Sequence, residues 1–116
     1  MSNINDFVIK NGILVDYKGR DANVVIPDDG SVTSLGDMCF TWCASLKSIT
    51  IPDSVTSLGD RCFGDCSSLT SITIPDSVTS LGDECFDACV NLTIRAEEGS
   101  TAAEYAEKNG IKLELI

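Results

Sequence analysis

A chain of 116 residues is one domain by length, and its formal net charge of −10, from 18 acidic against eight basic side chains, leaves no basic face for nucleic acid or an anionic membrane. It has no His, which removes Ser-His-Asp and Cys-His catalysis, the His-bearing zinc sites and the usual neutral-pH general base, so an enzyme is not expected. No apolar run approaches the roughly 18 residues of a membrane span, and MSNINDFVIKNG lacks the basic start and apolar core of a signal peptide, so the expectation is a soluble, cytoplasmic chain as written.

From the N-terminus, Phe7–Lys10 and Ile13–Tyr17 flank Asn11-Gly12, the dipeptide that favours a type I′ hairpin turn. Val24-Val25-Ile26-Pro27 follows and aligns with Ile49-Thr50-Ile51-Pro52 further on, so it is expected to be the first of a set of stacked strands. Two extra residues in DDGS, relative to the later DS, should only widen the intervening turn.

The middle of the chain writes one sentence three times. SVTSLGDMCFTWCASLKSITIPD, SVTSLGDRCFGDCSSLTSITIPD and SVTSLGDECFDACVNLTI open at Ser31, Ser54 and Ser77, a period of 23 residues. Units this short cannot bury a face alone, so neighbours must share a continuous core, each unit forming one coil of a solenoid. In Leu46-x-x-Ile49-x-Ile51 and Leu69-x-x-Ile72-x-Ile74 the alternation puts the isoleucines inward and Ser48, Thr50, Ser71 and Thr73 outward. Pro52 and Pro75 stop the strand, and Asp53-Ser54 or Asp76-Ser77 begin the turn. The other half of the coil, VTSLGDRCFGDC, sends Val55, Leu58, Cys62, Phe63 and Cys66 inward. Gly59-Asp60 reads there as a turn with an Asp N-cap, followed by a single helical or 3₁₀ turn. Cys62 and Cys66, four apart, share a face if that turn is α-helical.

Leu92-Thr93-Ile94 is one residue short of the repeat strand, which makes its register the hardest to assign. Beyond it, Ser100 can N-cap a short helix carrying Ala102, Ala103, Tyr105 and Ala106. Asn109-Gly110 would end that helix before a last strand near 111–115.

The repeated chemistry is in the cysteines, which form two columns: Cys39, Cys62 and Cys85, then Cys43, Cys66 and Cys89. The preferred reading is packing, since free Cys serves well as a small buried hydrophobe. The alternative is metal: two C-x-x-x-C pairs on adjacent coils bring four thiolates into one neighbourhood, a donor set that suits zinc, cuprous copper or an iron–sulfur cluster. Against it, C-x-x-x-C is weaker than the C-x-x-C of zinc ribbons, and each Cys sits in an apolar sequence context where a thiolate without metal is costly. A third reading is a disulfide ladder, although three residues per column leave one unpaired.

Stacked Asp37, Asp60 and Asp83, with Asp53 and Asp76, could collect Ca²⁺, but capping of local backbone N–H groups explains both columns without an ion. Trp42 breaks the repeat, where Asp65 and Ala88 stand in the later copies. Exposed, it would be a binding anchor; packing near the N-terminal hairpin, or plain variation, is the preferred reading. The hydroxyl strip of Ser48, Thr50, Ser71 and Thr73 is a flat surface whose composition names no ligand.

The pattern S-V-T-S-L-G-D-x-C-F-x-x-C-x-x-L-x-S-I-T-I-P-D closely resembles the BspA-like class of leucine-rich repeats over residues 24–94, and the flanks FVIKNGILVDYKG and RAEEGSTAAEYAEKNGIKLELI are similar to those of bacterial members. The first cysteine position, often Ala in bacterial members, looks more like protist ones. Bacterial-looking ends on a Cys-rich middle of nearly identical copies are also what an engineered or consensus chain would carry. Members of that class are associated with surface adhesion and host-protein binding, so the resemblance implies protein recognition through the sheet face. Separately, no cofactor is expected unless the cysteines hold zinc or an iron–sulfur cluster.

The expected fold is therefore an α/β repeat solenoid with parallel strands and short helical or 3₁₀ turns on the other face. It is one domain: an N-terminal hairpin cap over 1–23, stacked repeats over 24–94, and a C-terminal helix–strand cap over 95–116. Exposed strand edges can pair end to end, but capped ends argue for a monomer that binds protein.

Overall fold

Alternation along each strand builds the walls of the molecule. The computed structural model describes residues 4–116. A 3₁₀ turn, Ile4–Asp6, leads into β1 (Phe7–Lys10), β2 (Ile13–Tyr17), β3 (Asn23–Val25), β4 (Ser34–Leu35), β5 (Ser48–Thr50), β6 (Ser57–Leu58), β7 (Ser71–Thr73), β8 (Ser80–Leu81) and β9 (Thr93–Ala96); helix α1 (Thr101–Lys108) and β10 (Lys112–Leu115) complete the order.

Two sheets run along the solenoid. The first, in the order β3-β5-β7-β9-β10, is parallel throughout, with Val24 opposite Ile49, Ile49 opposite Ile72 and Ile72 opposite Ile94. All four of those side chains are buried, as are Ile26, Ile51 and Ile74 two residues on. The two-residue insertion before β4 and the one-residue deficit before β9 are both absorbed without loss of register. The deficit falls at a redundant point. Thr70 and Ser71 both donate their N–H to Lys47 O (2.9 and 3.3 Å), whereas in the last coil Thr93 alone donates to Thr70 O (3.0 Å).

The second sheet was not anticipated. Its strands β4, β6 and β8 are only two residues long, too short for a periodicity to show, and β2 extends it at the N-terminal end. Leu35 and Leu58 point inward from it beside Val32, Val55 and Val78.

Between Gly59 and Leu69 the expected helical or 3₁₀ turn takes another form. The segment is a run of turns closed by bonds three residues apart, such as Cys62 N–H to Gly59 O (3.3 Å) and Gly64 N–H to Arg61 O (3.0 Å). Alternate N–H groups leave the coil altogether: Arg61, Phe63 and Asp65 donate to Asp83, Cys85 and Asp87 of the next coil at 3.0, 2.9 and 2.8 Å. Met38, Phe40 and Trp42 do the same to Asp60, Cys62 and Gly64. A helix would turn these N–H groups along its own axis; this chain directs them along the stack, making a third cross-coil wall.

At the N-terminal end, Asn11 and Gly12 both have positive φ (52° and 81°), as the expected hairpin turn requires, and β1 and β2 pair antiparallel. At the other end Ser100 is the N-cap of α1, its Oγ accepting from Ala103 N–H (3.2 Å), while Ala102, Ala103 and Ala106 are buried. Gly110 has φ +66° just beyond the helix, and β10 continues the first sheet. Residues 1–3 of the expected N-terminal unit lie outside the described residues. Ser100→Ala should cost about 0.5–2 kcal/mol, the usual loss for an N-cap, read as a lowered urea midpoint with an unchanged slope.

Candidate functional site

Stacking of in-register coils brings equivalent side chains together along the axis, and the two cysteine columns form as the 23-residue period dictates. In the first, Cys39, Cys62 and Cys85 are buried, and the Cys39 and Cys62 sulfurs lie 3.3 Å apart. Burial pushes the Cys62 thiol well above the usual range, and its neighbours Cys39 and Cys85 add to the effect.

The second column differs at its ends. Cys66 is buried, but Cys43 and Cys89 are only half-buried. Cys66 donates its S–H to Phe40 O and Cys89 donates to Phe63 O, each at 3.0 Å. Hydrogen bonding from Cys66 lowers Cys43 and Cys89 below the ordinary thiol value. Burial opposes this at both, as do the charges of Asp16 near Cys43 and of Asp65 and Asp87 near Cys89. Cys66 moves the other way, pushed up first by its hydrogen bonds to Cys43 and Cys89 and then by burial.

All six cysteines are free thiols, and among the described residues no group of three or more Cys, Asp or Glu side chains is arranged to hold a metal ion. The zinc or iron–sulfur reading therefore gains no support: close sulfurs are strung along the axis, where a four-thiolate site needs them converged on one point.

Beside the cysteines runs a column of rings. Phe40, Phe63 and Phe86 stack with centroids 5.1 and 5.4 Å apart and planes within 7° and 10° of parallel. Tyr17 and Phe7 extend it at one end and Tyr105 at the other. Tyr17 was readable: it stands 23 residues before Phe40, and its N–H donates to Cys39 O at 3.2 Å as part of the same cross-coil wall.

The aspartate column Asp37, Asp60 and Asp83 caps across coils, a correction to the local N-cap expectation. Asp37 Oδ1 accepts from Asp60 N–H and Asp60 Oδ1 from Asp83 N–H, both at 2.8 Å. The Asp37 and Asp60 carboxylates thus satisfy backbone donors that the two-residue strands leave behind.

On the outer face of the first sheet two rows stand toward solvent. One is Asn23, Ser48, Ser71, Thr93 and Lys112; the other is Val25, Thr50, Thr73, Arg95 and Glu114. Ser48 Oγ donates to Asn23 Oδ1 at 2.6 Å, and Arg95 pairs with Glu114 at 3.4 Å. Trp42 is 73% exposed at φ 61° on the turn wall, so it does not pack against the hairpin as preferred from sequence. Met38, four residues before it, is also exposed. At the C-terminal end an open cavity of about 750 Å³ lies between the last turn wall and the helix, lined among others by Phe86, Cys89, Thr93, Tyr105 and Lys112. No sequence signal marked it, because it arises where β10 and α1 continue two walls and nothing continues the third.

A family model, the BspA type leucine-rich repeat region of six copies, matches residues 17–103, well over half of the chain. The chain belongs to the BspA-type leucine-rich repeat family. Among solved structures, this leucine-rich repeat chain is similar to a leucine-rich repeat protein from Bacteroides ovatus, with 31% identity and a TM-score of 0.63. That match covers 75% of this chain but 23% of the other, so the repeat chain spans about a quarter of that protein's length. A leucine-rich repeat protein from T. pallidum matches more loosely, with 20% identity, a TM-score of 0.49, and coverage of 81% of this chain and 70% of that one. No curated protein matches. These likenesses lend no support to an engineered origin. Among the described residues no helix is long and apolar enough to cross a membrane.

Proposed function

We propose that this leucine-rich repeat chain is a non-enzymatic scaffold that recognises another protein through the outer face of its first sheet. It works as a single capped domain (1–23, 24–94 and 95–116) and as a monomer, and it requires no cofactor. The observation that supports the reading is the pair of solvent-facing rows, in which Ser48, Thr50, Ser71 and Thr73 present hydroxyls on strands held in register by backbone bonds. A partner meets donors and acceptors whose positions are fixed before contact, which reduces the ordering cost of binding. The net charge of −10 points to a protein partner with basic character and away from nucleic acid or an anionic membrane. Trp42, on a different wall, offers a second contact.

The test begins with stability. Thr50→Ala and Thr73→Ala should change folding free energy by no more than about 0.5 kcal/mol, whereas Ile49→Ala or Ile72→Ala should cost about 2–5 kcal/mol. Thr50→Lys/Thr73→Lys then places two long side chains on the face without disturbing the core. Proteins captured by the immobilised chain should be released by that double variant and retained by Lys47→Ala, which leaves the face open. Equal retention by the wild-type chain and the double variant would rule out the sheet face.

A further inference from the structure

The two thiol columns share one 23-residue period and differ in access, and that difference has chemical content. The turn walls that carry the thiols are joined coil to coil by backbone bonds next to the second column, Trp42 N–H to Gly64 O (2.9 Å) and Asp65 N–H to Asp87 O (2.8 Å). That spacing is like that of paired strands, about 4.8 Å, and lies inside the roughly 4.4–6.8 Å Cα range that a disulfide needs. The first column shows how near the sulfurs come: Cys39 and Cys62 are already in contact at 3.3 Å. It is sealed along its length, with Cys39, Cys62 and Cys85 all buried, so an external reagent meets none of them. In the second column both ends are partly open, Cys89 on the wall of the C-terminal cavity, while the central Cys66 is buried, its S–H given to Phe40 O at 3.0 Å just as Cys89 gives its own to Phe63 O one coil on.

We infer that Cys43, Cys66 and Cys89 form a site of reversible oxidation, in which Cys43 or Cys89 attacks a hydroperoxide and Cys66 closes a disulfide between coils. The Cys43 thiolate displaces hydroxide from the O–O bond of hydrogen peroxide and becomes a sulfenic acid, the sulfur losing two electrons to the peroxide. Cys66 sulfur then attacks the sulfenic sulfur, the S–O bond breaks, and the Cys66 proton leaves with hydroxide as water. The sum is two thiols and one peroxide giving one disulfide and two waters. Cys89 can start the same sequence. With Cys43 bridged to Cys66, the Cys89 thiolate can in turn attack Cys66 sulfur and release Cys43, so the bridge migrates along the column without further oxidant. The first step falls at the column ends because Cys43 and Cys89 are the half-buried thiols, and the first column has no exposed end at which to begin.

The experiment treats the folded, reduced chain with a small excess of hydrogen peroxide, alkylates it in denaturant and maps the peptides. The expected result is loss of two of the six thiols, with Cys66 joined to Cys43 or Cys89 and with Cys39, Cys62 and Cys85 fully alkylated. In Cys66→Ser the same exposure should give no bridge, and a sulfenic acid on Cys43 or Cys89 that dimedone traps. Should that variant fail to fold, Cys43→Ser/Cys89→Ser, changed only at half-buried positions, should keep its four remaining thiols under the same peroxide exposure. A bridge within the first column overturns the inference. So does over-oxidation of Cys43 or Cys89 with Cys66 left free in the wild-type chain, thiol loss in the Cys43→Ser/Cys89→Ser variant, or six unreacted thiols where a small free thiol is consumed.

Discussion

Phe63→Ala should cost about 3–5 kcal/mol of folding free energy, the upper range for a large side chain removed from a core. Phe63 is fully buried and lies between Phe40 and Phe86 at 5.1 and 5.4 Å. The site has little freedom to collapse, because its backbone is tied on both sides: Phe63 N–H to Cys85 O (2.9 Å), and Phe40 N–H to Cys62 O (2.8 Å) one residue away. Coil spacing is set by those bonds, so the cavity left by the ring persists and its surface stays unfilled. Stability in a stacked repeat resides largely in the contacts between neighbours, and Phe63 serves both interfaces of the central coil. The urea midpoint should fall far below that of wild type, with a reduced slope if the two ends begin to unfold separately. A loss under about 1 kcal/mol would mean that the ring column is not the spine of the fold.

The ring column also marks how far the sequence could be read. Its three phenylalanines, the inward isoleucines and the alignment of both cysteine columns follow from one number, the 23-residue period. The hairpin and the Ser100 helix follow from local turn and cap chemistry. The turn wall did not follow, and the reason is backbone conformation. Met38, Trp42, Arg61, Asp65, Glu84 and Ala88 all have positive φ, yet only Asp65 is of a type that visits that region readily, and neither of its repeat equivalents, Trp42 and Ala88, is. A left-handed residue of this kind costs about 1–2 kcal/mol in isolation. Four of the six recover it through cross-coil bonds from their own N–H groups, Met38 and Arg61 at 3.0 Å, Trp42 at 2.9 Å and Asp65 at 2.8 Å. That compensation exists only once coils are stacked, and no single coil's sequence displays it. The spacing of four between cysteines suggested a helix for want of that information. The same limit applies to the thiols: the period places them in columns, but only the finished ends of the stack decide that Cys43 and Cys89 are open and Cys66 is not.

Gly82→Ala and Gly59→Ala should each destabilise the chain by about 3 kcal/mol or more, beyond the usual range for overpacking, because the obstruction is backbone. A methyl group at Gly82 would sit 2.5 Å from Asp60 N and from Gly59 C; at Gly59 it would sit 2.6 Å from Asp37 N and 2.7 Å from Gly36 C. Neither neighbour can rotate away. The same approach carries the aspartate column and the bonds from Gly59 N–H to Leu35 O and from Gly82 N–H to Leu58 O, both 2.8 Å, so opening the gap breaks them together. Gly36, at the same repeat position, meets Leu14 O of the hairpin at 3.0 Å and should be affected less. Gly64 is the control: a methyl there meets nothing closer than 3.4 Å, and Thr41 and Asp87 occupy its equivalents. Gly64→Ala should be neutral or stabilising by up to about 1 kcal/mol through the unfolded chain. Thermal unfolding of the four variants should rank them Gly82 and Gly59 worst, Gly36 intermediate and Gly64 unharmed. A uniform small loss would show that the coils are spaced by their side chains, whereas the predicted order requires backbone to be packed directly on backbone.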